Sequence, residues 1–149
     1  MKNSFRLVFN FIFRTKRRGL TAKAVVYSAA ARFRVYFFAD KKLRNYLGKQ
    51  GGETCFETPD DGQSREIKVI SQRVARVAVR APWESKCLVQ AMVAQRLLRD
   101  SGIGSTLYLG VSRDKNDNRM VAHAWVRSGP FFVCGGNGEG YAVVARFTI

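Results

Sequence analysis

Apolar side chains recur at helical spacing through most of the first hundred residues. The pattern is clearest from Pro82 to Gly102, where the apolar stripe consists of Leu88, Ala91, Met92, Ala94, Leu97 and Leu98. Ser85 is predicted to cap this helix, because a serine hydroxyl accepts hydrogen bonds from the unpaired amides of a first turn, and Gly102 is predicted to end it. Cys87 is therefore expected in the first turn of an amphipathic helix.

Two further helices are predicted upstream. Leu20 to Asp40 carries apolar residues on nearly every face, which implies burial all round or contact with another subunit. Ser64 to Arg80 has one apolar face, formed by Ile67, Ile70, Val74 and Val77. Residues 48–63 are rich in glycine and include a Pro-Asp-Asp-Gly turn, so a loop is expected there. This loop divides the chain into a helical N-terminal docking region, residues 1–63, and a core, residues 64–149.

After Gly102 the apolar period changes from that of a helix to that of a strand. Strands are predicted at Ser105 to Ser112, Met120 to Arg127, Phe131 to Cys134 and Tyr141 to Phe147. Residues 115–118 are predicted to turn between the first two strands. Helices followed by an antiparallel meander indicate the α+β class.

The chain of 149 residues has 26 Lys and Arg against 11 Asp and Glu, a net charge of +15. Such a surface predicts acidic partners, but the charge alone does not choose between nucleic acid, an anionic membrane and an acidic protein or peptide. We find no nucleic-acid-binding motif, so nucleic acid is not expected. The first eighteen residues mix phenylalanines with basic residues. Docking on a protein is favoured there over contact with a membrane surface, because apolar faces are usually buried against protein.

The three cysteines, Cys55, Cys87 and Cys134, are widely spaced and include no CxxC pair. This pattern predicts neither a disulfide framework nor a zinc site, and it suits a reducing cytoplasm. No metal-ligand cluster and no phosphate-binding glycine loop is evident, so no metal and no cofactor is expected. Cys134 is interpreted as a mid-strand core residue and Cys55 as incidental.

Cys87 and the single histidine, His123, carry the candidate chemistry. A helix N-terminus favours a thiolate, and its amides can receive an oxyanion. The plainer interpretation of Cys87 is a small buried hydrophobe. His123 is predicted to share a strand face with Val121 and Trp125. If the Cys87 helix packs on that face, the imidazole and thiol can meet, and the pair then favours catalysis.

Three motifs support that pairing, namely Pro82–Leu88, Arg96–Ile103 and Ala122–Val126. With a cysteine at a helix start and a histidine on a later strand, they resemble the lasso-peptide biosynthesis B proteins, in the stand-alone peptidase form. The resemblance implies a transglutaminase-like, papain-like core in which the nucleophile helix packs on an antiparallel sheet. It also implies a cysteine peptidase that removes the leader from a ribosomally made precursor, with Cys87 as nucleophile and His123 as base.

The same resemblance implies three partners: a separate leader-recognition protein, the precursor peptide and an ATP-dependent cyclase that acts on the product. Trp83 and Trp125, which belong to the motifs, are assigned to substrate binding. Members of that family often have an aspartate about a dozen residues after the histidine, but Gly135 stands there. Asn137 is assigned to orient the imidazole through its amide oxygen, and Glu139 is the alternative.

Two other functions remain open at this stage. The same cysteine and histidine could transfer an acyl group to an amine instead of to water. Alternatively, the chain could be a non-catalytic basic module that binds anionic membrane or nucleic acid, with Cys87 and His123 as packing residues. Binding of that kind would fall steeply with salt and would not depend on Cys87.

Overall fold

The computed structural model describes Asn10 and residues 17–37, 40–114 and 119–149. Its elements, in chain order, are α1 (Arg18–Phe37), α2 (Asp40–Leu47), β1 (Lys49–Gln50), α3 (Asp61–Arg80), α4 (Cys87–Asp100), β2 (Thr106–Arg113), β3 (Met120–Ser128), β4 (Phe131–Cys134) and β5 (Ala142–Thr148). Helices followed by an antiparallel sheet confirm the predicted α+β class. Nearly all of the element predicted for residues 1–18, and the turn predicted at 115–118, lie outside the described residues.

The strands form one antiparallel sheet in the order β1-β5-β2-β3-β4. The predicted meander is therefore wrong at its last step, because β5 pairs with β2 and not with β4. Leu107 on β2 lies between Phe147 on β5 and Val126 on β3. All three side chains are buried, so this order places the large apolar side chain of Phe147 in the core.

Helix α4 packs across one face of this sheet, which we call the core face. Strand residues alternate between faces, and on β3 Ala124 and Val126 belong to the same buried cluster as the α4 residues Val89, Val93 and Leu97. Burial of such aliphatic side chains stabilises the fold by about 1.5–3 kcal/mol each. The helix that begins at Cys87 is thereby fixed on the sheet.

Helix α1 packs against α3 and α4 through a stripe of small residues at helical spacing. The stripe consists of Thr21, Ala24, Ser28 and Ala31. Of the two alternatives predicted for α1, burial nearly all round is wrong, because Phe33, Tyr36 and Phe37 are 56%, 72% and 63% exposed. Contact with another subunit stays a prediction. Small side chains let the helices approach closely on one side and leave the aromatic side to solvent.

Local capping residues mark the start of α3 and the end of α4. The predicted Pro-Asp-Asp-Gly turn is instead the start of α3, since the Asp60 carboxylate accepts a hydrogen bond from the Gln63 amide at 2.8 Å and caps the helix. Gly102 follows the end of α4 with φ +68°, as predicted for a glycine at this position. There the Ile103 amide donates to the Leu98 carbonyl at 2.9 Å.

The division into residues 1–63 and 64–149 stays a prediction. In the described structure, Ala24, Ala31 and Leu47 share one buried cluster with Ile70 and Leu97. The helical N-terminal part therefore contributes to the same core as the rest of the chain.

The opposite face of the sheet, here called the outer face, is organised by Arg127, which is only 2% exposed. A hydrogen bond from the Tyr108 hydroxyl to the Glu53 carboxylate lowers the pKa of Glu53 below its ordinary value, and the positive charges of Arg127 and Arg146 lower it further, although burial opposes the shift. The Arg127 guanidinium donates to the Tyr108 hydroxyl, the Glu53 carboxylate and the carbonyls of Thr54, Cys55 and Gly129. One buried cation thus attaches the segment after β1 to the sheet.

Replacing Arg127 with Met should lower the free energy of unfolding by about 3 kcal/mol, because buried carbonyls and one carboxylate lose their donor. Arg146→Met is the matched control, since Arg146 also pairs with Glu53, at 3.0 Å, but is 45% exposed. An exposed pair contributes about 0–1 kcal/mol. Urea unfolding of both variants measures the difference, and equal losses would contradict this account of Arg127.

Candidate active site

Cys87 is the first residue of α4, two residues after Ser85, the position predicted to cap the helix. The prediction that Ser85 is the N-cap is wrong. The Gln90 side-chain amide donates to the Ser85 carbonyl at 2.7 Å, and the first helical hydrogen bond runs from the Gln90 amide to the Lys86 carbonyl. Lys86 is therefore the N-cap, and it makes no side-chain capping bond. The first-turn amides of α4, beside the thiol, therefore donate no hydrogen bond to the side chain of the N-cap residue.

Cys134 lies near Cys87 and has a different character. It is paired with Val126 on the core face, and burial raises the pKa of its thiol to about 12, with the nearby Cys87 adding to the shift. A thiol in that state is a poor nucleophile near neutral pH. Cys55, by contrast, is exposed, and its sulfur accepts from the Glu57 amide at 3.4 Å.

The imidazole of His123 is held by a main-chain carbonyl. Its Nε2 lies 2.7 Å from the Gly135 oxygen. Because a carbonyl can only accept, Nε2 carries the proton of the neutral ring, and Nδ1 is left with the lone pair that a general base needs. The family that the sequence resembles often has an aspartate at the position of Gly135. Here the main-chain carbonyl of Gly135, and not a carboxylate, accepts the hydrogen bond from the imidazole.

His123 lies on the outer face of β3, together with Trp125. Helix α4 packs on the core face. His123 therefore does not have the arrangement expected to bring the imidazole and the thiol together, because it does not face the helix that carries Cys87. Instead, Cys87 and His123 approach the end of β4 from its two faces. The thiol is near Cys134, and the imidazole is bonded to the next residue, Gly135.

Aromatic rings fix the position of the imidazole. The His123 ring centroid lies 4.9 Å from that of Tyr141 and 5.9 Å from that of Trp125. Trp125 is 4% exposed, and a Cβ at Gly138, which has φ +72°, would overlap its indole. The glycine-rich segment after β4 therefore closes over Trp125 at a distance that only glycine permits.

The sequence model of one protein family, described as the transglutaminase-like superfamily, matches residues 17–146. The chain belongs to the transglutaminase-like superfamily. Comparison with curated proteins gives no match, and neither does comparison with solved structures. The superfamily includes cysteine peptidases and acyltransferases, and its members typically act through a cysteine.

Within this transglutaminase-like fold, two other predicted site residues, Trp83 and Asn137, form hydrogen bonds with groups other than the imidazole. Trp83 donates its indole N–H to the Ser28 hydroxyl at 2.9 Å, which ties the segment before Cys87 to α1. Asn137 is exposed, and its side-chain oxygen accepts from the Glu139 amide at 3.0 Å within the same loop. The role of Asn137 stays a prediction, as does substrate binding by Trp83 and Trp125.

The described residues contain no group of three or more His, Cys, Asp or Glu side chains that could hold a metal ion. In the same part of the chain, no helix combines the length and apolarity needed to cross a bilayer. The functional group that the sequence did not reveal is the Gly135 carbonyl. The spacing after His123 pointed to this position in the sequence. Every residue type has a main-chain carbonyl, however, so the residue type could not indicate that the carbonyl binds the imidazole.

Iodoacetamide should distinguish the two neighbouring thiols. In a Cys55→Ser protein near neutral pH, we expect alkylation of Cys87 but not of Cys134, because a pKa of about 12 leaves fewer than about one Cys134 thiol in 10⁴ ionised. Intact-mass and peptide mapping locate the label. A Cys55→Ser, Cys87→Ser double variant should stay unmodified on the same timescale, so labelling of Cys134 there would refute the assignment.

Proposed function

We propose that this chain is a cysteine peptidase that removes the leader from the precursor of a lasso peptide, together with a separate leader-recognition protein. The observation that carries the proposal is the position of Cys87, at the start of α4 beside first-turn amides without a side-chain cap. The transglutaminase-like fold and the motifs around Cys87 and His123 support the same function. The proposed reaction takes place in the cytoplasm and uses no cofactor.

The proposed chemistry has two steps. His123 Nδ1 takes the thiol proton of Cys87, and the thiolate attacks the carbonyl carbon of the scissile peptide bond. First-turn amides of α4 hydrogen-bond the oxyanion, and the imidazolium returns its proton to the leaving amine as the carbon–nitrogen bond breaks. Water, deprotonated by His123, then hydrolyses the thioester. The core peptide leaves with a free N-terminal amine, on which a separate ATP-dependent cyclase would act.

The proposal requires the thiol and imidazole to meet at the end of β4. That strand ends at Cys134, and the two residues that follow are Gly135 and Gly136. Glycines have no side chains, so only main chain stands between the groups that approach from the two faces of the sheet. Catalytic contacts are often longer in a free enzyme than in its substrate complex, so closure of this gap is assigned to the bound state.

The exposed aromatic side of α1 supports the proposed docking of a leader-recognition protein. Phe33, Tyr36 and Phe37 border a cavity of about 250 Å³ that Trp83 also lines. Arg32 adds positive charge at the same place, which suits an acidic partner. Since Trp83 is bonded to Ser28 and lies four residues before Cys87, a protein bound here would be close to the nucleophile.

Cleavage should depend on both reacting groups. Cys87→Ala and His123→Ala should each lower the rate of leader removal by at least about 10³-fold, because each removes a reacting group from the acylation step. A candidate precursor is incubated with its leader-recognition protein and each variant, and intact masses are recorded. Cys55→Ser is the control and should cleave normally.

The masses also separate the alternatives. A single cut between leader and core with incorporation of water supports the peptidase. A product that carries an added amine would instead indicate acyl transfer. Normal cleavage by Cys87→Ala would exclude both forms of cysteine catalysis.

The Gly135 carbonyl should matter to the rate through His123. A Cβ at Gly135, which has φ +76°, would overlap the Ala124 carbonyl and move the main chain. Gly135→Ala should therefore lower the cleavage rate by about 10²-fold, as expected for a displaced catalytic group. Gly136→Ala is the matched control, because Gly136 has φ +70° but open space at the Cβ position.

Thermal unfolding of both variants keeps a loss of stability apart from a loss of activity. If Gly135→Ala and Gly136→Ala melt at similar temperatures and cleave at the same rate, the carbonyl does not hold the imidazole for catalysis.

A further inference from the structure

In the described structure, one edge of strand β5 is paired over only part of its length. The short strand β1 pairs only with its C-terminal end, at Phe147 and Thr148. In the described part of the chain, no strand pairs with residues 142–145 of β5 on this side. Val143 and Val144 in this stretch are 44% and 62% exposed. An open edge with apolar side chains is a template for another strand.

A cavity of about 380 Å³ lies beside this edge, and its size lies in the usual range for ligand pockets. Its apolar walls include Leu43 and Leu47 from α2, Leu88 from α4, Leu109 from β2 and Val144 from β5. The leucines from α4 and β2 place the cavity on the core face of the sheet. One side of an added strand would therefore face an apolar cavity.

A second depression, of about 180 Å³, follows the same edge. Gln50, Gly51 and Arg146 border it together with residues 143–145 of the edge itself. Alternate side chains of an added strand share a face, so every second one would lie on the side of the apolar cavity. The edge is thus suited to an extended peptide with an apolar side chain at the cavity.

The edge is continuous with the candidate active site. Leu88 lines the larger cavity and directly follows Cys87. Arg44 also borders this cavity, and the whole chain carries +15 net charge, so carboxylates on the bound peptide would be favoured. An apolar side chain in this cavity would therefore lie beside Leu88, the residue that follows the proposed nucleophile.

We propose that an extended segment of the precursor peptide pairs as a strand with residues 142–145 of β5 and inserts an apolar side chain into the cavity between α2 and β5. This inference rests on the proposed function, because the peptide is the one that Cys87 would cut. Main-chain hydrogen bonds along the edge supply affinity without regard to sequence, and the cavity selects the residue that enters it. The fold thereby presents the scissile bond to the nucleophile in an extended conformation.

Hydrogen exchange tests the edge directly and does not require cleavage. The Cys87→Ala protein is measured with and without the precursor used in the cleavage assay, bound to its leader-recognition protein. Amides within residues 142–145 should exchange at least about tenfold more slowly when the precursor is present. Helix α3, which contributes no residue to the cavity or to the candidate active site, is the internal control and should show no change.

Two lysine substitutions test the cavity. Val144→Lys should raise KM for the precursor about tenfold with little change in kcat, because a charge would enter an apolar site used for binding. Val79→Lys is the matched control, since Val79 is also an exposed valine, at 83%, and lies on α3 outside this cavity. Neither change removes a buried side chain, so both proteins should fold.

The outcomes separate this inference from the proposed function. Cleavage by the wild-type protein, with no protection of residues 142–145 and equal KM for both lysine variants, would overturn the inference and leave the peptidase standing. Protection of these amides with no cleavage by the wild-type protein would support the edge as a peptide site and count against the peptidase.

Discussion

Strict alternation of side chains along β3 governs the arrangement of this protein. Ala124 and Val126 point to one face and complete the core under α4, while His123, Trp125 and Arg127 point to the other. A shift of one residue would exchange these sets and bury the charged and polar groups under the helix. The aliphatic pair thus fixes helix α4 on the sheet, and the same register gives the imidazole its aromatic surroundings.

Because of this alternation, the thiol and the imidazole both lie close to the end of β4, but on opposite faces of the sheet. Cys134 and Gly135 are consecutive, yet one is near Cys87 on the core face and the other accepts the hydrogen bond of His123. The chain's departure from the expected aspartate is then understandable in physical terms. A peptide carbonyl can hold an imidazole in one tautomer, as a carboxylate does, although it does not neutralise an imidazolium.

Most helices and strands could be predicted because apolar period and turn residues agree over long stretches, as in α4 and β3. The errors arose at positions where the local sequence signal did not decide the structure. Ser85 is not the N-cap because the helix begins one residue later, after Lys86, and β5 pairs with β2, where Phe147 fills the core. The motifs around Cys87 and His123 were visible in the sequence. Their placement on opposite faces depends on which side of the sheet α4 covers, and no local pattern encodes that.

The indole stack on the outer face gives the protein an intrinsic optical reporter. The chain has two tryptophans, and Trp125 lies between the rings of Tyr108, at 5.4 Å, and His123, at 5.9 Å. Trp83, in contrast, donates its indole N–H to the Ser28 hydroxyl of α1. With Trp83 replaced by Phe, emission would come from one fluorophore in contact with the imidazole. Changes in that ring's protonation or position would then be visible in solution without any added label.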